Sequence, residues 1–224
     1  MRILALETSS RRGSVALCDE LQSVAVLTHE APNSHAERML KLVAEALALA
    51  GWSRSSIDRI AVGCGPGSFV GIRTGIALAE GLGLGLGRPV VGIGSLQAML
   101  WAARTQAPRR AALLDARREE FFLAAQDGNG DELLSPIAVP RALVAEVLTG
   151  FGQDCLLVGE AAAQLFPEAR RAQGQITELP HALAVAELAV TIDPAAFPAI
   201  PLYVRDAGAT PQHLPPSPLG TPPA

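Results

Sequence analysis

Eleven of the 21 glycines in this 224-residue chain fall between Gly63 and Gly94, in two groupings with different physical meanings. Gly65, Gly67 and Gly71 flank a strand-to-helix turn, where glycine supplies positive φ and lets backbone N–H groups point at an anion near a helix start. No Gly-Lys-Ser/Thr ending follows, so the turn is not a P-loop, and a phosphate cradle and a plain tight turn both remain open. Gly75, Ala79 and Gly83 then share one line of the following helix, and Gly81 and Gly85 share another. Each helical glycine costs up to about 1 kcal/mol against alanine, so something must pack very close to this helix. The same segment is apolar nearly all round, through Ile72, Ile76, Ala77, Leu78, Leu82, Leu84 and Leu86, and a helix without a polar face is covered on both sides. In so short a chain the second cover is expected to be another polypeptide. Burial wholly within the chain is the alternative.

The neighbouring segments make this an α/β fold. Strands are expected over residues 3–7, 14–18 and 22–28. A helix follows, with Asn33 or Ser34 as cap and Glu37 three residues after Ser34. Its apolar positions include Ala36, Met39, Leu40, Val43, Ala46, Leu47 and Ala50 at helical spacing, with Leu42 and Leu49 off that stripe. A strand over 59–63, the glycine helix over 69–86, a strand over 89–93 and a helix capped by Ser95 complete the first half. The second half repeats the opening: strands over 111–115, 119–126 and 133–139, with Asp127-Gly128-Asn129-Gly130 as a hairpin turn. Pro140 is placed to open a helix. A strand over 155–158 and helices over 160–166 and 182–192 follow. Strand meanders followed by crossover helices in both halves hint at duplicated lobes. The two helices of the first half can lie side by side and offer a partner surface, assigned to Met39, Leu42, Val43, Ala46, Ile72, Gly75, Ile76, Ala79 and Gly83. From Gly208 onward six prolines stand in seventeen residues, which reads as an extended tail outside the fold.

The chemistry that is missing narrows the function. Hydrophobic residues make up 49% and charged residues 18%, a folded composition, and the net charge of −4 gives no overall basic face for a nucleic acid. Arg104, Arg109, Arg110, Arg117 and Arg118 form the densest basic run, with Glu119 and Glu120 directly after it. Cys18, Cys64 and Cys155 are odd in number and far apart, which argues against a disulfide frame or a zinc knuckle. No two of His29, His35, His181 and His213 have i, i+4 spacing, so no helical metal clip exists. Glu7 could hold a metal-bound water, yet no second carboxylate stands near it in sequence. Asp115, Glu119 and Glu120 read as a solvated hairpin edge. No Gly-x-Ser-x-Gly elbow is present. The chain starts directly on a strand-like run, and the most apolar stretch, 76–86, is short and carries Glu80, so a reducing cytoplasm is expected.

Three stretches carry a family resemblance: Leu4-Ala5-Leu6-Glu7-Thr8-Ser9, Ser34-His35-Ala36-Glu37-Arg38-Met39-Leu40, and the run from Gly65 through Gly67, Ser68, Phe69, Gly71 and Arg73 to Gly75. Together with Asp115-Ala116-Arg117-Arg118-Glu119-Glu120 and Pro201-Leu202-Tyr203-Val204-Arg205, they resemble the TsaB (YeaZ) family over residues 1–206. The glycine block is shared with the catalytic paralogue TsaD. The paralogue's His-x-x-x-His metal pair falls on Ser95 and Met99 here, neither an adequate ligand. The resemblance implies an actin-like ATPase fold (acetate/sugar kinase-like), with duplicated lobes over 1–104 and 105–206 and the tail over 207–224. It also implies a non-catalytic subunit that dimerises with a TsaD-type threonylcarbamoyltransferase in making N6-threonylcarbamoyladenosine beside the tRNA anticodon. A TsaE-type ATPase would bind the assembled pair, and tRNA would be met through the complex. The chain would need no cofactor or metal of its own. An ATP or ADP site near the subunit interface is carried over onto Glu7, Thr8, Gly65 and Gly67. Alternatives are a homodimer, a glycoprotease-like hydrolase, or a small kinase of the same fold.

Overall fold

The computed structural model describes residues 1–30 and 35–204. The expected cap at Asn33 or Ser34, Arg205 of the C-terminal signature and the proline-rich tail lie outside the described residues.

The first sheet grows from β1 (Arg2–Glu7), whose residues after Arg2 are all buried, an apolar run covered on both faces. It pairs antiparallel with β2 (Gly13–Asp19), which pairs antiparallel with β3 (Gln22–His29). On its other side β1 pairs parallel with β4 (Arg59–Gly63), and β4 pairs parallel with β5 (Val90–Ile93), giving the order β3-β2-β1-β4-β5. The parallel pairs need crossovers, supplied by α1 (His35–Ala50) and α2 (Phe69–Leu86). Both lie on one face, and Leu4, Leu6, Val15 and Val62 of the strands meet Met39, Val43, Ala46 and Ala79 of the helices there.

The second sheet has the order β8-β7-β6-β9. Strands β6 (Arg110–Arg117), β7 (Glu120–Gln126) and β8 (Glu132–Pro140) form the antiparallel meander, and β9 (Leu156–Val158) pairs parallel with β6. A three-stranded meander joined to a parallel strand therefore occurs twice. Between the sheets runs α3 (Ser95–Ala102), with Leu96, Met99 and Leu100 packed against the second sheet. The short helices α4 (Val144–Thr149) and α5 (Glu160–Leu165) cover the other face of that sheet.

Three expectations are corrected. Pro140 opens only a single 3-10 turn, Arg141–Leu143, before α4 begins. Ser95 is the first residue of α3, and Gly94 occupies the cap position. The span 105–206, expected as one lobe, is divided between both sheets: α6 (Ala182–Ala189) returns to pack on Ile3, Ala5 and Ala16 of the first sheet. The strap over 193–204 follows it there, with Gly92 N–H donating to Phe197 O and Leu202 N–H to Cys64 O, 2.9 and 2.8 Å.

The turn after β1 ties the halves together by charge. Arg11 pairs with Glu160 at the start of α5, while Arg12 reaches Glu30 at 3.0 Å and Glu178 at 3.5 Å and donates to Gln175 O.

Candidate functional site: a sealed polar pocket and an outward helix face

The carboxyl of Glu7 ends β1 inside the protein, fully buried together with Thr8, Ser14 and Ser95. Ser9 N–H donates to Glu7 Oε1 at 2.5 Å, and the Ser95 hydroxyl lies 3.2 Å from Glu7 Oε2 and 2.9 Å from Ser9 Oγ. Gly65 N–H donates to that hydroxyl at 3.1 Å, which fixes the start of α3 against the glycine turn. Burial raises the Glu7 carboxyl above the ordinary carboxylate range, with the bonds from Ser9 and Ser95 pulling the other way. In its neutral form Glu7 donates to Ser95, whose single proton is then free for Ser9.

The glycine turn is docked on this cluster. A Cβ at Gly63 would collide with the Glu7 carboxylate, one at Gly67 with Ser9 O, and one at Gly71 with Thr8 O. Thr8 Oγ1 donates to Gly71 O at 2.8 Å, and Ser68 N–H donates to Ser9 O at 2.6 Å. The glycines at 63, 67 and 71 thus let two backbone segments touch. Of the four residues carried over for a nucleotide, the structure brings Glu7, Thr8 and Gly65 into one closed network. Gly67 sits beside it on Ser9.

The surface assigned from sequence to a partner needs correction. Met39, Val43, Ala46, Ile72, Gly75, Ala79 and Gly83 are buried inside the chain, and Leu42 and Ile76 are half-buried against the same core. The reason is close approach to the sheet: a Cβ at Gly75 would strike Thr8 Oγ1, and one at Gly83 would strike Val90. The small-residue line 75–79–83 serves helix-on-sheet packing. The other line faces outward. Nothing lies within 4 Å of a Cβ built on Gly81 or Gly85. Around these glycines stand Val70, 72% exposed, and Leu84, 88% exposed, with exposed Ala77 between them. On α1, Leu40 and Leu49 are exposed too. Helical spacing puts Val70, Ala77, Gly81 and Leu84 on one stripe. Sequence reasoning noted Leu49 as off-stripe but missed the outward stripe of α2. The glycine pair 81/85 was its available signal. By length and composition, α2 is also the helix among the described residues that could cross a membrane. Its inner line of small residues is fitted to this chain's own sheet.

At the start of α2, Phe69 stacks on Tyr203 of the strap at 5.5 Å between ring centroids. Arg73 lies over Phe69 at 3.7 Å and donates to the Tyr203 hydroxyl at 2.9 Å. The basic run of the second half forms no single face. Arg110 is buried, donating to the carbonyls of Arg104, Ala107 and Asp127, and β6 carries Arg117 to its opposite end. Asp115 is exposed and accepts from Arg117 N–H in the β6–β7 turn, at the solvated end of two inner strands of the sheet.

Two sheets, each a meander extended by a parallel strand, around a buried carboxylate and a glycine turn define a protein of the actin-like ATPase fold. The activator of 2-hydroxyisocaproyl-CoA dehydratase from Clostridium difficile shares it, with a TM-score of 0.54 at 10% identity over 85% of this chain and 94% of that one. Residues 22–143 match the family described as TsaD: tRNA N6-adenosine threonylcarbamoyltransferase. A Pseudomonas aeruginosa protein with similarity to peptidase YEAZ superposes with a TM-score of 0.76 at 30% identity, covering 91% of this chain and 99% of that one. The tRNA threonylcarbamoyladenosine biosynthesis protein TsaB of Escherichia coli K12 is 39% identical over 134 residues, 58% of this chain and 58% of that protein. The chain belongs to the TsaB (YeaZ) family. Its match spans little more than half the length of that curated relative.

Proposed function

We propose that this chain is the non-catalytic subunit that binds and supports a TsaD-type threonylcarbamoyltransferase in forming N6-threonylcarbamoyladenosine on tRNA next to the anticodon. The observation that carries the reading is the outward stripe of α2. Val70 and Leu84 are largely in solvent, and among the described residues nothing lies against Gly81 or Gly85 to justify their helical cost. An exposed apolar stripe with gaps at glycine suits a partner helix in close contact. Leu40 and Leu49 of α1 are exposed as well, nine residues apart and so on opposite sides of that helix. A related subunit of the same fold could present the matching pair, making a four-helix contact.

The sealed pocket supports the supporting-subunit half of the reading. Ser95 and Met99 stand where the resemblance puts a histidine pair, and both are fully buried, Ser95 bonded to Ser9 and Glu7, Met99 in the core against the second sheet. A TsaE-type ATPase and tRNA would meet the assembled pair, in the cytoplasm, and any ATP or ADP would bind at the complex interface. Reconstitution tests this. The purified chain with ATP and magnesium should show no turnover alone, and adding the TsaD-type paralogue and the remaining components should give modified tRNA. Robust turnover by the chain alone would overturn the reading.

A further inference from the structure

The outward side of α2 carries charge as well as apolar surface. Its two charged residues, Arg73 and Glu80, are both exposed and stand seven residues apart, two turns along one edge. Helical spacing sets that edge directly beside the stripe of Val70, Ala77, Gly81 and Leu84. Arg73 is fixed there by the strap. Its guanidinium lies 3.7 Å from the Phe69 ring centroid and 5.9 Å from that of Tyr203, and its Nε donates to the Tyr203 hydroxyl at 2.9 Å. The two rings stack on each other and stay 51% and 48% exposed. The two terminal nitrogens of Arg73 meet no acceptor among the described residues. Other exposed arginines are spent within the chain: Arg11, Arg104 and Arg141 each pair with a carboxylate. Arg73 is thus oriented in advance and has four N–H groups left to give. Fixing a long side chain ahead of binding lowers the ordering cost of the contact it makes.

We propose that the Arg73 guanidinium receives one carboxylate, an Asp or Glu side chain of the TsaD-type subunit docked on the outward stripe; the inference rests on the partner reading given above. The planar fork of an arginine matches a carboxylate through two parallel N–H···O bonds. Phe69 and Tyr203 set the plane of that fork, and Tyr203 acts as a positioning residue by holding Nε. The surroundings suit a single acid better than a nucleic acid backbone. Arg73 is the lone cation of α2, Glu80 follows on the same edge about 10 Å further along, and the chain carries a net charge of −4. Charges at the margin of an apolar contact set orientation and register more than affinity. The apolar stripe alone has no direction. An acid opposite Arg73 gives it one, and Glu80 repels that acid from the position two turns on.

Titration calorimetry of the full chain with a TsaD-type paralogue, at about 50 mM and about 500 mM NaCl, tests the proposal through its salt dependence. Native affinity should fall several-fold between the two. Arg73→Lys keeps the charge and loses the fork, and should bind about tenfold more weakly at the lower salt. Arg73→Gln should bind at least as weakly and lose most of the salt dependence. Tyr203→Phe keeps the ring stack and releases Nε, for a loss of about threefold. Arg118→Gln removes the same charge from the β6–β7 turn and should behave as the native chain does. Native affinity in both Arg73 variants would overturn the proposal. So would an Arg73→Gln chain that binds weakly but keeps the native salt dependence, the mark of a merely structural side chain. A native chain that does not bind the paralogue would remove the partner reading and this one with it. Binding by the native chain with the Arg73 variants unchanged would remove this one alone.

Discussion

Glu7 and His181 are buried titratable groups near the turn after β1, and they respond to acid in opposite directions. Burial raises Glu7, so the proton is bound more tightly in the folded state. The stability it contributes is present below the unfolded value near 4.5 and is lost as pH rises through the folded value. Glu7→Gln keeps an acceptor for Ser9 and a donor for Ser95. It should flatten the loss of stability that accompanies deprotonation of Glu7 as pH rises, as scanning calorimetry would show. A lower melting temperature across the whole range would count against a neutral Glu7. His181 caps α6 by accepting from Leu183 N–H at 3.1 Å, and burial, with help from Arg12, lowers it to about 4. Its neutral form is the folded one, so stability falls as pH drops through 6.5 and is lost fully below about 4. The total is of the order of 3 kcal/mol. His181→Asn preserves the cap acceptor and should remove most of that acid slope in melts between pH 7 and pH 4.

Within α2, two glycine lines on one helix answer to different neighbours, and a single methyl group separates them. Gly75→Ala should destabilise the chain by about 1–3 kcal/mol, because the new Cβ meets Thr8 Oγ1 inside a packed core. Gly81→Ala should stabilise it by up to about 1 kcal/mol, because its Cβ meets nothing. Paired thermal melts give the two signs, and a shared sign would mean that α2 is rotated relative to this packing. The element boundaries were largely legible in sequence: α2 runs from Phe69 to Leu86 as its apolar run implied, and Ser14 to Cys18 sits inside β2. The facing of α2 was not legible. A stripe of small residues announces close approach, and sheet and partner helix ask for the same residues. Only the position of Thr8, Val62 and Val90 in space decides that Gly75 and Gly83 serve the sheet.

For the molecule as a whole, duplication and interdigitation leave the outward face of α2 uncommitted among the described residues. The return of α6 to the first sheet could not be read from its sequence. Its alanines, Ala182, Ala184, Ala186 and Ala189, fit any sheet. Likewise Ser95 suits a helix cap, and only the buried Glu7 beneath it turns the hydroxyl inward. With the inner faces of α1 and α2 covered by the first sheet, the outward stripe of α2, where Val70 and Leu84 are exposed, is the surface we assign to another protein. Binding of a TsaD-type paralogue to the Gly81→Leu variant, measured by titration calorimetry beside a thermal melt, tests this most directly. The melt should lie at or slightly above that of the native chain, since the side chain enters open space and the helical cost of glycine is removed. Affinity should fall by about a hundredfold or more, because leucine overfills a close helix contact. Native affinity in a natively folded Gly81→Leu chain would contradict the assignment of this face to the partner.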